Sequence, residues 1–542
     1  MSGPITFTGL FSGIDTQSII EQLLTIERMP LDIVEQRQAE TQEKLEIFQD
    51  LSTRLAALDS SVQTLNLSST VGAKTATSSD SDVLGVSASS TASEGAFTIN
   101  SITTLAAASS EASIGVVSSS DSFVSGSSFS FDVGTTEVSI TLDDSQKTLT
   151  GLRDAINDAT DEAAATILDT GDPDDPYKLI ISSSETGTDN AISNISTDIK
   201  VTTSTGTADL TFSTSVTAAD AQFSVNGVSI TRSSNTASDV VEGVTLTLKD
   251  ESASAITVTV APDTEPLKTA IEDFIEKYNE VNSLIQAQFA LDEETGTAGL
   301  LSGDATLRHI QSTLQQNVVA GVTDAEGNRH SMGSVGIDVD KYTGELSLDE
   351  TRFNAAAADE DLDLFFDVFL AHGAASDSRV TFVGSTHDTE AGTYSINVSG
   401  YDGEGNVQGT FTKNGDVYTG VGNGQYLVGP SGTDAEDLRI RIASGATGDL
   451  GEVVFTVGAG ERLERSLDDL ITPIVGLLPE LETRLENDIL DLDDQIEAFE
   501  ARLAEREREL LLQFIAAEQA IATLQNQTST FEQAFGTLSG QE

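Results

Sequence analysis

The chain has 542 residues, too many for one hydrophobic core, and its apolar share of 38% predicts folded domains, about three to five of them. Its 88 Asp and Glu against 27 Lys and Arg give a net charge of −61, which makes nucleic acid and anionic membranes poor partners and favours a surface solvated in a saline medium. The absence of cysteine excludes disulfides and thiolate metal sites.

The N-terminal segment predicts a helix. Between Ile14 and Met29 apolar residues recur at helical spacing, and Asp15 or Thr16 is a suitable N-cap. The stripe consists of Ile19, Ile20, Leu23, Leu24 and Ile26. Pro30 is expected to interrupt this helix. The segment lacks the basic region of a cleaved secretion leader, and no run of about 18 apolar residues predicts a membrane span.

A second helical seam follows the polar stretch from Glu35 to Lys44. Its residues are spaced 3-4-3-4-3, which is typical of one face packing on another helix: Phe48, Leu51, Leu55, Leu58, Val62 and Leu65.

The middle of the chain reads as antiparallel β structure. From Ser68 to Ala261 short runs such as SFSFDV and ITVTVAP alternate with a period of two, and one helix is predicted from Leu149 to about Ala165. Helical patterns return after Pro266, again at Ala305 to Val319, and at Leu362 to Leu370. A Gly- and Thr-rich block, Ser378 to Val457, carries strand signals and is interpreted as a β domain inserted into helical territory.

The C-terminal segment holds one apolar phase over seven heptads. Every seventh residue is Ile489, Ile496, Leu503, Leu510, Ala517, Leu524, Phe531 and Leu538. The second seam position is apolar at Leu492 and Phe499, fails at Arg506 and Gln513, and is replaced one residue later by Phe514, Ile521 and Phe535. This drift predicts a change of packing partner along the helix. A self-contained antiparallel coiled coil without functional meaning is the alternative.

Four stretches in this order resemble the flagellar cap family (flagellar hook-associated protein 2, FliD). They are GLFSGIDT with SIIEQLLTIERMPLD, then TLTGLRDAINDATDEAAATILD with PYKLIISSSETGTDNAIS, then GLLSGDATLRHIQSTLQ with MGSVGIDVDKYTGELSLDETRF and LDLFF, and finally EAFEARLAEREREL with FIAAEQAIATLQNQ.

The resemblance implies an α+β multidomain fold, in which the N- and C-terminal helices form a coiled-coil leg and a helical bundle, with antiparallel β domains inserted between them. The expected segments are a flexible N-terminal leg at 1–44, a helical domain at 45–70, 263–377 and 458–500, a β domain at 71–108 and 217–262, a second β domain at 109–216 with a flagellin-like motif at 148–193, the inserted β domain at 378–457, and the C-terminal leg at 501–542.

The resemblance also implies a non-enzymatic function at the distal tip of an extracellular flagellar filament. Expected partners are flagellin, further copies in a ring of about five subunits, hook-filament junction proteins, the flagellar type III export apparatus and an export chaperone that binds the C-terminus. Export without a cleaved signal peptide is expected, as are the absence of nucleic-acid and membrane partners and a possible adhesion role.

The GIDT stretch has two interpretations, helix capping by Asp15 or Thr16 and an apolar knob of Leu10, Phe11 and Ile14 that docks on flagellin or another cap subunit. The predicted partner-binding residues are these and the C-terminal seam: Leu10, Phe11, Ile14, Asp15, Leu503, Leu510, Phe514, Leu524 and Phe531.

Sites of bond chemistry are not favoured, and no catalytic residue, cofactor or metal is expected. His309, His330, His372 and His387 are far apart in sequence and form no zinc-hydrolase motif. The acidic run Asp169, Asp172, Asp174 and Asp175 is broken by prolines and favours a hairpin loop over a calcium site. Gly420, Gly422 and Gly424 precede a strand pattern, which favours a turn over a nucleotide-binding loop.

Two alternatives stay open. The first is another axial flagellar protein, a flagellin or a hook-filament junction protein, which small closed rings seen by microscopy would exclude. The second is a secreted adhesin, which glycan binding by residues 378–457 would favour.

Overall fold

The computed structural model describes residues 15–291, 296–323, 328–358 and 362–538, with side chains described up to residue 533. Long helices lie at both ends of the chain and antiparallel strands lie between them, so the predicted α+β multidomain class is confirmed.

The α-helices in the described residues are α1 (Thr16–Leu65), α2 (Ser68–Val71), α3 (Leu149–Ala159), α4 (Glu265–Phe289), α5 (Ala305–Val319), α6 (Glu350–Ala357), α7 (Asp363–Phe369), α8 (Ala459–Ile471) and α9 (Leu477–Leu538). Two 3₁₀ turns cover Thr188–Asn190 and Met332–Val335.

The strands before α4 are β1 (Lys74–Ser78), β2 (Leu84–Ala88), β3 (Gly95–Thr104), β4 (Ser110–Ser113), β5 (Ser128–Val133), β6 (Thr136–Thr141), β7 (Ala163–Asp169), β8 (Tyr177–Ser183), β9 (Ile192–Thr197), β10 (Lys200–Thr203), β11 (Gly206–Asp209), β12 (Phe212–Val216), β13 (Ala221–Val225), β14 (Val228–Arg232), β15 (Thr236–Val241), β16 (Val244–Leu248) and β17 (Ile256–Pro262). The later strands are β18 (Val322–Thr323), β19 (Arg329–His330), β20 (Ile337–Val339), β21 (Leu346–Leu348), β22 (Ala371–Ala375), β23 (Val380–Gly384), β24 (Gly392–Tyr401), β25 (Val407–Lys413), β26 (Asp416–Thr419), β27 (Val421–Asn423), β28 (Tyr426–Val428), β29 (Arg439–Ile442) and β30 (Gly448–Val457).

The chain divides into two compact units. One contains both chain ends together with most of the sequence after residue 270, and the other contains residues 67–269. The division into domains predicted from the sequence stays a prediction.

The unit of residues 67–269 holds two hydrophobic cores. In the first, the sheet β1-β17-β3-β13-β14 and the sheet β15-β16-β2 enclose Leu84, Ile99, Phe223 and Leu246. In the second, α3 packs with the sheets β12-β4-β8-β7 and β6-β5-β9 around Phe129, Phe131, Leu152 and Leu179. Alternation of apolar and polar residues places one face of each strand inward, as the sequence pattern predicts.

Helix α3 is shorter than its sequence pattern. Thr148 caps it, since the Thr148 hydroxyl accepts a hydrogen bond from the Gly151 amide at 2.9 Å. The helix ends at Ala159 because the Asn157 side chain binds both the amide and the carbonyl of Ala165, at 2.7 and 3.1 Å. These bonds hold the start of β7 beside the helix, so the predicted continuation to Ala165 is wrong.

The other unit contains a helical bundle, which we name the head and which consists of α1 from residue 45, α5, α7, α8 and the beginning of α9 up to residue 488. The predicted seam of α1 from Phe48 to Leu65 is buried, each of its six side chains being at most 1% exposed. Helices α8 and α9 pack on α1, and α5 and α7 pack on α8. Helix α5 covers the predicted range, with Asp304 accepting from the amides of Thr306 and Leu307. The Asp304 side chain therefore caps α5 at the residue where the sequence pattern predicts the helix to begin.

The inserted β segment, β22 to β30, joins the same unit. Its two sheets, β22-β30-β24-β25-β26 and β23-β29-β28-β27, enclose Tyr394, Phe411, Leu427 and Phe455. Two arginines of α8 bind its backbone: Arg462 donates to the Val457 carbonyl, and Arg465 donates to the carbonyls of Thr386 and Thr389. The head thus binds the inserted segment at the loop between β23 and β24 and at the end of β30.

The predicted interruption at Pro30 is wrong, because α1 is one continuous helix through Pro30 and the polar stretch beyond it. Proline removes one hydrogen bond from a helix, here the one to the Ile26 carbonyl. Pro30 itself is exposed, so water can solvate this carbonyl, while Leu31 and Val34 on the next turn are buried and hold the helix in place.

Candidate docking site on the terminal helices

Helices α1 and α9 form an antiparallel pair. Arg506 donates to Glu27 at 3.1 Å, Gln38 donates to Asp493, and Ser52 binds Glu482. The residue numbers on α1 rise as those on α9 fall, which shows that the two helices run in opposite directions. Glu27 and Glu509 beside Arg506 raise the pKa of its guanidinium. We name as the leg the part of this pair beyond the head, residues 16–44 of α1 and 489–533 of α9.

Burial falls from the head to the leg. Head seam residues such as Leu51 and Leu55 are fully buried, whereas the α9 seam of the leg is half-buried at Ile489, Ile496 and Leu503. Two helices without a third partner cannot cover each other's apolar faces completely. The leg therefore retains apolar surface that these two helices leave uncovered within the described residues.

The predicted drift of the α9 seam is present. The covered positions run through Leu503, Arg506 and Leu510 and then shift to Phe514 and Ile521. Leu510 is buried and Leu503 and Phe514 are half-buried, so the chain itself covers these three residues in part, and their partner-binding role stays a prediction. Leu524 and Phe531 are 62% and 68% exposed.

The sequence interpretation merged two stripes of α1, because it placed Ile19, Leu23 and Ile26 on one face with Ile20 and Leu24. Five large apolar side chains, which we name the α1 stripe, are exposed along one face of the leg: Ile19, Leu23, Ile26, Met29 and Ile33. The most exposed, Ile26, has 66% of its surface open to solvent. Ile20 and Leu24 instead face α9, because successive helical residues point about 100° apart. The doublets Ile19–Ile20 and Leu23–Leu24 were the signal for two stripes.

Helix α9 carries a second exposed apolar stripe. Leu511 and Ile515 each follow a seam residue, Leu510 and Phe514, by one position. The α1 stripe instead precedes its seam by one position. In an antiparallel pair these offsets place the stripes on opposite faces, so the leg can be contacted from two sides.

An open groove lies between the two leg helices. Leu24, Leu31 and Leu503 contribute apolar surface, and acidic side chains such as Glu500 and Glu507 line it as well. Such a groove, apolar between charged margins, suits an amphipathic helix.

The start of α1 is capped by Asp15, whose carboxylate accepts from the Ser18 amide at 3.1 Å. This confirms one of the two predicted caps. Leu10, Phe11 and Ile14 lie outside the described residues, and their docking role stays a prediction.

Three carboxylates meet where α8 packs on α1 in the head. Burial, together with the negative charges of Asp468 and Glu464, raises the pKa of Asp59 to about 6. Burial also raises the pKa of Glu464, although Asn66 donates a hydrogen bond to it. One Asp59 oxygen is buried without a hydrogen-bond partner, so the ionised form is poorly stabilised.

The variant Asp59→Asn should remove a pH-dependent destabilisation of the head. Because the folded pKa of Asp59 lies above its unfolded value, its contribution to stability is complete below about pH 4 and is lost as the pH rises through 6. The stabilisation of the variant over wild type should therefore grow by about 1 kcal/mol from pH 5 to pH 8, measured by urea unfolding. Asp469→Asn, an exposed neighbour on α8, is the control, and a pH-independent difference for Asp59→Asn would contradict the assignment.

The remaining motifs form no catalytic arrangement in the described residues. Asp367 brings together His330, at 3.9 Å, and His372, at 2.9 Å, two histidines that are distant in sequence. The acidic run lies in the β7–β8 loop, where Asp172 accepts from the Asp174 and Asp175 amides. Gly424, with φ +58°, forms the turn of the β27–β28 hairpin, so the nucleotide-loop alternative is wrong.

Within the described residues, no group of three or more His, Cys, Asp or Glu is placed to hold a metal ion. None of the helices in this part of the chain has both the length and the apolar character of a membrane span.

Comparison with known proteins gives consistent results. The family model "Flagellar hook-associated protein 2 C-terminus" matches residues 218–526, and the model for the N-terminus of the same family matches residues 12–109. The B-type flagellar hook-associated protein 2 of Pseudomonas aeruginosa is 28% identical over 58% of this chain and 70% of its own length. Flagellar hook-associated protein 2 of Escherichia coli K12 is 28% identical over 65% of this chain and 77% of its own length. The crystal structure of the E. coli flagellar cap protein FliD, domains D1-D2-D3, superposes with a TM-score of 0.50 at 27% identity, covering 60% of this chain and 90% of that one.

The paired terminal helices, the helical head and the β units between them define a structural protein of the bacterial flagellum. The chain belongs to the flagellar hook-associated protein 2 (FliD) family, a family of structural flagellar cap proteins rather than known enzymes.

Proposed function

We propose that this protein is a non-enzymatic cap, assembled as a ring at the distal tip of an extracellular flagellar filament. In this role it promotes the folding and polymerisation of exported flagellin and prevents its loss. The observation that carries the proposal is the contrast between a saturated head seam and a leg with apolar stripes on both faces. Such a leg suits contact with neighbouring helices on either side.

The leg is less tightly packed than the head. Its seam is only partly buried at Leu503 and Phe514, so local opening at these positions exposes less new apolar surface than opening of the fully buried head seam, at about 25 cal/mol per Å² of apolar surface. In the proposed mechanism the legs detach and rebind as each flagellin subunit is added beneath the ring. The head, buried along its whole seam, keeps its fold during these cycles.

The proposed contact residues divide by position. Leu524 and Phe531 on α9 and the α1 stripe supply exposed apolar surface for flagellin or a neighbouring cap subunit. Leu503, Leu510 and Phe514 hold the two leg helices together, and Leu10, Phe11 and Ile14 complete the proposed surface. About five subunits, hook-filament junction proteins, the type III export apparatus and a chaperone at the C-terminus remain part of the proposal, as does export without a cleaved signal peptide.

Crosslinking tests this function directly, because the native chain has no cysteine. The variant Leu524→Cys, labelled with a photoreactive group, should capture flagellin at the filament tip and stop elongation on illumination. Asn487→Cys, exposed on α9 at the level of the head, should capture no flagellin. Undisturbed elongation after illumination of the labelled Leu524→Cys ring would overturn the proposal.

An adhesion role is a second candidate, located in the inserted β segment. The observation that favours it is an exposed sheet face on that segment, which the helical leg and head do not use.

A further inference from the structure

The sheet β23-β29-β28-β27 of the inserted segment has one buried and one open face. Ile440 and Ile442 on β29 and Leu427 on β28 point into the core and are fully buried. Because side chains alternate along a strand, Arg439 and Arg441 point outward from the central strand β29, and both are exposed.

The register places an aromatic and apolar row beside the arginines. Arg441 lies opposite Tyr426, and Arg439 lies opposite Val428, which in turn lies opposite Val421 of β27. Tyr426 is 41% exposed and Val421 is 62% exposed. Val383 on β23 adds a further exposed apolar side chain at the other edge of the sheet. We name these six residues the arginine face.

The two arginines lack carboxylate partners within the described residues. The other two cations of the inserted segment are paired: Arg379 binds Asp377 at 2.9 Å, and Lys413 binds Glu390 and Asp434 at 2.9 and 3.1 Å. The chain has a net charge of −61, so carboxylates greatly outnumber positive charges. Two neighbouring guanidinium groups that bind no described carboxylate therefore form a locally positive patch on an acidic protein. Residues two apart on a strand are about 7 Å apart, so the two forks can engage successive carboxylates of one ligand.

We propose that the arginine face binds an acidic polysaccharide whose carboxylates pair with Arg439 and Arg441 and whose sugar rings pack on Tyr426 and the valines. Guanidinium groups pair with carboxylates in a bidentate way, and a tyrosine ring offers an apolar face with a polar tip. The inference rests on the adhesion role proposed for the same segment, for which it names the ligand class, and it is independent of the cap function.

The size of the face favours a thin polymer over a folded partner. Four strands spaced about 4.8 Å apart span about 14 Å, and the two outward rows are about 7 Å apart. A stable protein interface buries about 800 Å² on each partner, several times the area of such a face. In saline medium charges beyond about 8 Å are screened, so the acidic remainder of the chain repels the polymer only weakly.

Retention on immobilised polygalacturonate tests the proposal with the full-length chain. Wild type should bind in about 0.1 M NaCl, where the Debye length is about 10 Å, and bind less as NaCl is raised. The methyl-esterified polymer has the same backbone without free carboxylates and should bind about tenfold more weakly or not at all. Failure of wild type to bind, or equal binding of both polymers, would overturn the proposal.

Variants locate the binding on this face. Arg439→Gln/Arg441→Gln should weaken binding about tenfold or more, while Arg379→Gln, which neutralises a paired arginine of the same segment, should leave it unchanged. Both arginines are exposed, so the melting temperature of the double variant should match wild type. Unchanged binding by the double variant would refute the assignment, and so would a change in its sedimentation without loss of polymer binding, because that result would assign the face to a second copy of this chain.

Discussion

Filaments should stop growing when the α1 stripe is made acidic by the double substitution Ile26→Glu/Ile33→Glu. These side chains are 66% and 52% exposed, so the isolated chain tolerates charge at both positions. Within a docked apolar contact each glutamate would be desolvated, which costs about 2 kcal/mol or more apiece, or about 1,000-fold in affinity for the pair. The measurement is filament length in cells that carry only the variant cap, together with the melting temperature of the purified protein.

A matched control separates docking from added charge. Ala39→Glu/Gln42→Glu adds the same two charges to exposed positions of α1 that share no heptad position with a residue of the stripe. This control should support normal filaments. If the stripe variant also supports filaments of wild-type length, or if it unfolds as an isolated protein, the α1 stripe is not the docking surface that we propose.

Truncation of the head core should have the second large effect. Leu55 is fully buried in the seam between α1 and its neighbours, so Leu55→Ala leaves a cavity and should destabilise the head by about 3 kcal/mol. Leu503→Ala removes the same atoms from a half-buried position of the leg and should cost less than about 1 kcal/mol. Urea unfolding followed by the helical circular dichroism signal measures both.

The comparison of these two leucines tests the physical basis of the mechanism. A leg that detaches repeatedly must be cheap to open, whereas the head must survive each cycle. Equal losses for Leu55→Ala and Leu503→Ala would show that the leg is as tightly packed as the head. In that case the proposed detachment of the leg would have to be abandoned.

Some features followed from local sequence patterns because they depend on neighbours along the chain. The seam from Phe48 to Leu65, the helix from Ala305 to Val319 and the Asp15 cap are set by helical period and by capping chemistry within a few residues. Strand alternation likewise indicated which side of each β element is buried. The family resemblance also came from contiguous motifs, and the family models match the same regions.

Two expectations failed for different reasons. Pro30 predicts a helix break, but Leu31 and Val34 are buried and keep the helix continuous, so tertiary packing outweighs the local preference. The helix after Leu149 was expected to reach Ala165, but the hydrogen bonds between the Asn157 side chain and the Ala165 backbone end it earlier, and periodicity alone does not reveal such a side-chain contact eight residues along the chain.

The sequence by itself determined the helical ends, the β middle, the acidic solvated surface and the family, because period, composition and contiguous motifs are properties of the chain alone. Only the tertiary structure decided that Ile20 faces α9 while Ile19 stays exposed, that Asp59 meets two other carboxylates, and that Arg439 and Arg441 share an open sheet face without acidic partners. The physical reason is that burial, pKa and pairing depend on which groups come within a few ångströms, and those groups are contributed by residues that are separated along the chain, for example Asp59 and Asp468.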